Sequence, residues 1–163
     1  MRLRPLLAAL ALAAGALACS DSGGKGSLPP PPANGFDPAV TVTFAGAPPL
    51  RAEVARTPDQ RARGLMQRTE LAPDAGMIFL FPERTTTGFW MKGTLIPLSI
   101  AYVDGETVVS TTEMVPCEKE PCRTYPPTAS YTLAVEAPAG FFPAHGVGPG
   151  TRMTVTGPTS PAE

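Results

Sequence analysis

Trp90 and Lys92 are the residues of this chain whose types and spacing best suit a binding surface. Side chains alternate between the two faces of an extended strand, so Trp90 and Lys92 are predicted to share one face, with Phe89 and Met91 on the other. An aromatic ring beside one cation suits a sugar or an anionic group. The alternative interpretation is a tryptophan at the rim of the core beside a lysine whose stem covers apolar surface. Glu136 is the acid that could pair with Lys92 across the sheet.

Two cysteines and one histidine are the other residues with chemistry of their own. Cys117 and Cys122 are separated by four residues, and in an exported protein this spacing predicts a disulfide that closes a small ring. A redox pair usually has two intervening residues, and a zinc site would need more ligands than one histidine supplies. His145 has no spare thiol and no Gly-x-Ser-x-Gly serine to act on. We therefore predict no metal, no cofactor and no catalytic histidine.

Five methionines after the first residue raise a copper hypothesis, because thioethers are ligands that copper(I) prefers. They are Met66, Met77, Met91, Met114 and Met153. These residues are scattered through separate apolar blocks and are not grouped in one loop. The pattern therefore favours packing in the core, where the flexible methionine side chain fills gaps.

Residues 1–18 have the layout of an export signal. Arg2 and Arg4 supply a positive start, and residues 6–18 form an uncharged apolar run that is too short to span a bilayer permanently. The run ends Ala-Leu-Ala before Cys19. This ending fits an ordinary signal-peptidase site, and it also resembles the lipobox of bacterial lipoproteins, with Ala16 in place of the usual leucine.

The number of cysteines helps to choose between these two interpretations of the signal. If Cys117 pairs with Cys122, Cys19 is left as an odd thiol in an exported chain, and acylation would remove that liability. We therefore expect Cys19 to be the lipidated N-terminus, with a soluble periplasmic protein as the alternative. An anchor with more than one acyl chain would hold the protein firmly at a membrane facing the periplasm. Ser20, by resemblance to known sorting behaviour, favours the outer membrane.

Composition divides the chain into four segments. After the signal, residues 19–38 are predicted to be a disordered tether, since serine, glycine and a run of prolines cannot build a core. Residues 39–157 are predicted to be one β-rich globular domain, and residues 158–163 a loose tail. The formal net charge of -1 gives no electrostatic footprint for nucleic acid.

Alternating or short continuous apolar stretches predict most of the domain as strands. The predicted strands are 40–44, 50–55, 77–81, 98–103, 107–111, 131–136 and 151–156, with 89–92 as a strand or extended edge. Asp104-Gly105 predicts a hairpin whose two turn positions both have positive φ. The segment 113–127, which holds both later cysteines, is predicted as a loop.

Helices are predicted to be few and short, because prolines and glycines interrupt the chain. Thr57 with Gln60 predicts a capping box, and the helix is expected to continue to about Gln67 with Gly64 in its interior. One further helical turn is predicted around 141–145. The predicted fold is therefore α+β and mainly β: a small antiparallel sheet or partly open barrel with one or two short helices.

Three blocks of the domain resemble a known family when taken together. Gly64-Leu65-Met66, Gly76-Met77-Ile78-Phe79 and Phe89-Trp90-Met91-Lys92 occur in the order and spacing of domain-of-unknown-function family 192. The resemblance covers about residues 39–156 and implies a small β-rich domain, often exported, without an established activity. Gly93 and Ser99 stand where the family usually has Asn and Asp. If the family's Asn and Asp serve a polar site beside the lysine, these two departures argue against a catalytic site beside Lys92 and leave binding through the backbone or Ser99 open.

These observations predict a lipoprotein of the cell envelope whose domain is a non-catalytic ligand-binding or accessory module. The candidate ligand surface consists of Trp90, Lys92, Ser99 and Glu136. The alternative is a hydrolase- or transferase-type enzyme that uses Lys92 with Ser99 or Glu136. The expected partners are the membrane, through the lipid anchor, and a small molecule or an envelope protein.

Overall fold

The computed structural model describes residues 37–157, which form a curled seven-stranded sheet, a two-stranded sheet and two short helices. The mainly β, α+β prediction is confirmed. The elements in chain order are β1 (Asp37–Phe44), β2 (Leu50–Ala55), α1 (Pro58–Arg63), β3 (Ala75–Thr85), β4 (Phe89–Trp90), β5 (Leu98–Asp104), β6 (Thr107–Met114), β7 (Thr124–Tyr125), β8 (Tyr131–Pro138), α2 (Phe141–Ala144) and β9 (Met153–Thr156). The predicted signal, Cys19, the tether up to residue 36 and the tail 158–163 lie outside the described residues.

The large sheet has the strand order β6-β5-β8-β3-β2-β1-β9. Its neighbouring strands are antiparallel, as predicted, except for β2 and β3, which run parallel because the segment containing α1 carries the chain back to the same end of the sheet. The two outer strands meet at one corner, where Thr107 bridges Arg152 and the Val108 amide donates to the Thr151 carbonyl at 2.9 Å. This contact curls the sheet into a half-barrel.

Each face of the curled sheet carries its own apolar core. All seven strands and α2 contribute to the inner core, which includes Ile78 of β3 and Phe142 of α2. The outer core includes Met77 and Phe79 of β3 and is covered by β4, β7 and the segment around Leu65. β3 is therefore buried on both faces, as its unbroken apolar run predicts.

The methionines follow the same two cores. Met77, Met91 and Met114 are buried in the outer core and Met153 in the inner core, while Met66 is half-buried against Gly93. The four buried methionines pack against apolar neighbours, as the sequence predicts, whereas Met66 belongs to neither core.

The first helix begins as predicted but ends earlier. Thr57 forms the capping box: its hydroxyl accepts from the Gln60 amide at 3.2 Å, and the Gln60 side chain accepts from the Thr57 amide at 3.0 Å. The prediction of a helix to Gln67 is wrong, because Gly64 is the C-cap, with φ 46°. A positive φ ends the helix, and glycine is the residue that adopts it without strain. No helix within residues 37–157 is long and apolar enough to cross a membrane.

The hairpin of β5 and β6 is present, but its turn is shifted by one residue from the predicted one. Asp104 pairs with Thr107, so the turn residues are Gly105 and Glu106. Of these two, Gly105 has a positive φ, 59°, and Glu106 does not. Glycine at the first turn position is the pattern of a type II′ turn, whereas the predicted type I′ turn needs positive φ at both positions.

The segment 89–92 differs most from its predicted form. Only Phe89 and Trp90 form a strand, and they pair with Tyr125 and Thr124 of β7, which was predicted as loop. Strands of two residues are too short to produce a detectable alternation in the sequence. β3 also continues past Pro82, where its pairing with β8 shifts register, and an irregular position of this kind tolerates proline within a strand.

Candidate functional site

Trp90 and Lys92 lie together on the outside of the small sheet. Trp90 is 52% exposed, and the Lys92 Nζ atom lies 5.8 Å from the centroid of the Trp90 ring. Met91, between them, is buried in the outer core, and Phe89 packs edge-on against Phe79 with ring centroids 4.9 Å apart. The alternation therefore exposes one cation beside one aromatic face, an arrangement that attracts the cation to the ring.

An aromatic cluster under β4 fixes the position of Trp90. Phe89 contacts the rings of Phe79, Phe81 and Tyr102, all in edge-to-face geometry. The Tyr131 hydroxyl donates to the Thr87 carbonyl at 2.6 Å, just before β4. Burial raises the pKa of Tyr131 to about 12, and so this donor keeps its proton at neutral pH. The strand that presents Trp90 is thus held from below by packed rings and from one end by a hydrogen bond.

Lys92 pairs with Glu120, an acid that the sequence analysis did not select. Nζ lies 2.6 Å from Oε1 of Glu120, whose side chain is 67% exposed. Glu120 belongs to the ring of residues 117–122, which the predicted disulfide between Cys117 and Cys122 closes. The signal that could have identified Glu120 is an acid inside a short disulfide ring. We call Trp90, Lys92 and Glu120 together the Trp90 surface.

Glu136 lies in the outer core and not on the Trp90 surface. It pairs in register with Met77 on one side and with Ile100 on the other, and only 4% of its surface is exposed. Among the described residues, no group donates a hydrogen bond to its carboxyl and no cation lies beside it; burial alone raises its pKa to about 8. At neutral pH Glu136 is therefore mostly protonated in the folded protein.

Ser99 is fully buried on the opposite face of the sheet. Its register partner is Ala137 of the inner core, whereas the next residue of β5, Ile100, faces Glu136. The Ser99 hydroxyl donates to the Glu113 carboxylate and accepts from the Gly140 amide at 2.8 Å. Gly140 is the N-cap of α2. Ser99 thus holds the start of α2 against β5 and β6.

The four predicted surface residues therefore occupy three separate places. Trp90 and Lys92 share the exterior, Glu136 is buried beneath the outer layer, and Ser99 faces the inner core. The geometry does not bring Lys92 together with Ser99 and Glu136. A hydroxyl, a base and a cation that act on one substrate must converge within hydrogen-bonding distance, and here they do not.

His145 and a shallow cleft near Gly93 are the remaining features. The Nδ1 atom of His145 lies 2.7 Å from the Phe141 carbonyl, so the ring closes the end of α2. The cleft has a volume of about 340 Å³ and is lined by residues 63, 64 and 66–70. Arg68 in its wall is paired with Glu53 at 2.6 Å, and the Gln67 amide donates to the Gly93 carbonyl at 2.8 Å. Residues 37–157 hold no group of three His, Cys, Asp or Glu side chains suited to a metal.

Comparisons with known proteins agree with the resemblance of the three blocks. The model of the family DUF192, described as uncharacterized ACR, matches residues 40–155. A crystal structure from Sinorhizobium meliloti 1021, of a protein provisionally designated a transcription regulator, is 30% identical, with a TM-score of 0.67 over 74% of this chain and 95% of that one. A protein of unknown function from Novosphingobium aromaticivorans DSM 12444 is 33% identical, with a TM-score of 0.67 over 76% of this chain and 89% of that one. Among curated proteins nothing matches.

Proposed function

This chain belongs to the DUF192 family, and from that premise we propose that it is an envelope-anchored lipoprotein whose domain binds a ligand without catalysis. The Trp90 surface is the binding site, and lipidated Cys19 is the anchor. The observation that carries the proposal is the placement of Trp90, the only tryptophan of the chain, half exposed beside the Lys92 ammonium. Tryptophan supplies a large, rigid contact area and is enriched where proteins meet partners.

The surroundings of three residues, Ser99, Glu136 and Lys92, support binding over catalysis. Ser99 already accepts and donates hydrogen bonds within the fold, so its hydroxyl is not free to attack a substrate. Glu136 is buried and mostly protonated at neutral pH, which makes it a poor general base there. The Lys92 Nζ atom is paired with Glu120 Oε1 at 2.6 Å, so it is engaged with a carboxylate of the chain and not free to attack a substrate.

The anchor is supported by the sequence before the domain. A positive start and an apolar run of thirteen residues, 6–18, precede Cys19, and a Ser/Gly/Pro-rich stretch follows it. The proposal does not extend the designation of the Sinorhizobium relative to this chain, because a formal net charge of -1 does not suit binding to DNA.

Replacing Cys19 with serine is expected to release the protein from the membrane, because the hydroxyl cannot carry the thioether-linked lipid. The measurement is the distribution of the protein between membrane and soluble fractions, together with the mass of the mature N-terminus. Ser22→Ala, three residues away, is the matched control and should stay with the membrane. Membrane retention of Cys19→Ser, or an unmodified mature chain that begins elsewhere, would reject the anchor.

Ligand binding at the Trp90 surface is expected to change tryptophan emission, which reports on Trp90 alone. A panel of neutral and carboxylated sugars from envelope polysaccharides is titrated into the soluble Cys19→Ser chain. At least one sugar should shift the emission, and Lys92→Met should weaken that binding. Arg152→Met is the matched control, since Arg152 is also an exposed cation paired with an exposed acid, Glu106. A panel without any response, or a response unchanged by Lys92→Met, contradicts the proposed site.

A further inference from the structure

The Lys92 ammonium, which lies over the exposed tryptophan ring, is also paired with a carboxylate of the chain itself. Oε1 of Glu120 lies 2.6 Å from Nζ, and Nζ lies 5.8 Å from the centroid of Trp90. All three side chains are substantially exposed, at 67% for Glu120, 49% for Lys92 and 52% for Trp90. The cation beside the aromatic face is therefore a group that already binds a carboxylate.

We propose that Glu120 is a built-in competitor for the carboxylate of the ligand, and that the ligand of the Trp90 surface is a sugar bearing a carboxylate. This inference rests on the proposed binding function. The sugar ring contacts Trp90, and its carboxylate replaces that of Glu120 on Lys92. The ligand thereby uses both groups that the surface exposes, the apolar ring face and the cation.

The disulfide ring keeps the competitor close to Lys92. Cys117 and Cys122 are bonded to each other, and Cys117 packs against the outer core, so Glu120 belongs to a short loop fixed at one end. An exposed ion pair is weak because water and salt compete with it. A ligand carboxylate can therefore displace Glu120 at little cost, while the loop keeps Lys92 neutralised when no ligand is present.

A neighbouring acid of the same ring provides a matched control. Glu118 is exposed, like Glu120, and it is two residues away within the same disulfide ring. Neutralising either acid changes the net charge of the loop equally, but only Glu120 makes the ion pair with Lys92. The difference between the two variants therefore isolates the contact from the general charge of the loop.

The test measures the affinity of the soluble Cys19→Ser chain for glucuronate and for glucose, its neutral analogue, through the emission of Trp90. Glucuronate should bind more tightly than glucose. Glu120→Gln should raise the affinity for glucuronate roughly threefold, the size of effect that an exposed ion pair can have, and leave glucose binding unchanged. Glu118→Gln should leave both unchanged, and adding Lys92→Met to Glu120→Gln should abolish the gain.

Three results would overturn the inference. The first is equal affinity of Glu120→Gln and Glu118→Gln for glucuronate. The second is equal affinity of the wild-type chain for glucose and glucuronate, and the third is a wild-type chain that binds neither sugar. If neutral sugars bind as tightly as glucuronate and Lys92→Met weakens their binding, the proposed binding function stands while the carboxylate inference fails. If no sugar of the wider panel binds, both fail.

Discussion

Replacing Glu136 with glutamine is expected to remove a large part of the pH dependence of the stability of the domain. The Glu136 carboxyl is buried between Met77 and Ile100, and burial raises its pKa from 4.5 to about 8. Between these two values the unfolded chain releases the proton while the folded chain retains it. Rising pH therefore favours the unfolded state throughout this window.

The size of the effect follows from the shift in pKa. One pK unit corresponds to about 1.4 kcal/mol, so the stability of the wild-type domain should fall by about 3 kcal/mol, relative to Glu136→Gln, from about pH 4.5 to about pH 7. Below pH 4.5 the carboxyl is protonated in both states and contributes no slope. Above about pH 8 it is ionised in both states, and the difference between the two proteins becomes constant.

The measurement is urea unfolding of both proteins at a series of pH values. Groups common to the two proteins cancel when their free energies of unfolding are subtracted, and the remaining slope belongs to residue 136. Glu118→Gln is the control, since it removes an exposed carboxyl and should give a curve parallel to that of the wild type. Parallel curves for Glu136→Gln and the wild type would show that the carboxyl is ionised in the folded protein at neutral pH.

The strands and their buried faces were predictable because alternation and apolar runs are local properties of the sequence. β3 illustrates this: its apolar run predicts burial on both faces, and Met77 and Ile78 do face different cores. The parallel pairing of β2 with β3 was not predictable in the same way, because pairing partners depend on contacts between segments distant in sequence.

The candidate site was only partly predictable, for a related reason. Local alternation predicts that Trp90 and Lys92 are exposed on the same side, and they are, although β4 ends at Trp90 and Lys92 lies in the turn that follows. Whether Ser99 and Glu136 share a face depends on the register of β5 against β8. A shift of one residue in this register would place the two side chains on the same face instead of opposite faces. Glu120, the partner of Lys92, belongs to the disulfide ring. The position of this ring relative to β4 could not be predicted, because it depends on contacts between distant segments and not on a local pattern.

Replacing Gly76 of β3 with alanine is expected to destabilise the domain strongly. A Cβ atom at this position would lie 2.5 Å from the backbone oxygen of Glu136, a distance that real Cβ atoms essentially never show. The obstacle is backbone and not a flexible side chain. β3 and β8 would have to separate, although their pairing from Met77 to Leu80 joins the two halves of the large sheet.

The expected cost is about 3 kcal/mol, at the upper end of the range for overpacked positions, with a melting temperature lower by roughly 10 °C. Gly148→Ala is the matched control, because nothing lies within 4 Å of its added methyl group and its φ is not positive. Thermal and urea unfolding of both variants give the measurement, and a Gly76→Ala domain as stable as Gly148→Ala would contradict the prediction.

The same substitution should also change the pH dependence of stability. Because β8 carries Glu136, a separation of β3 from β8 would admit water to the Glu136 carboxyl. The Gly76→Ala domain should therefore show a shallower loss of stability between about pH 4.5 and pH 7 than the wild type.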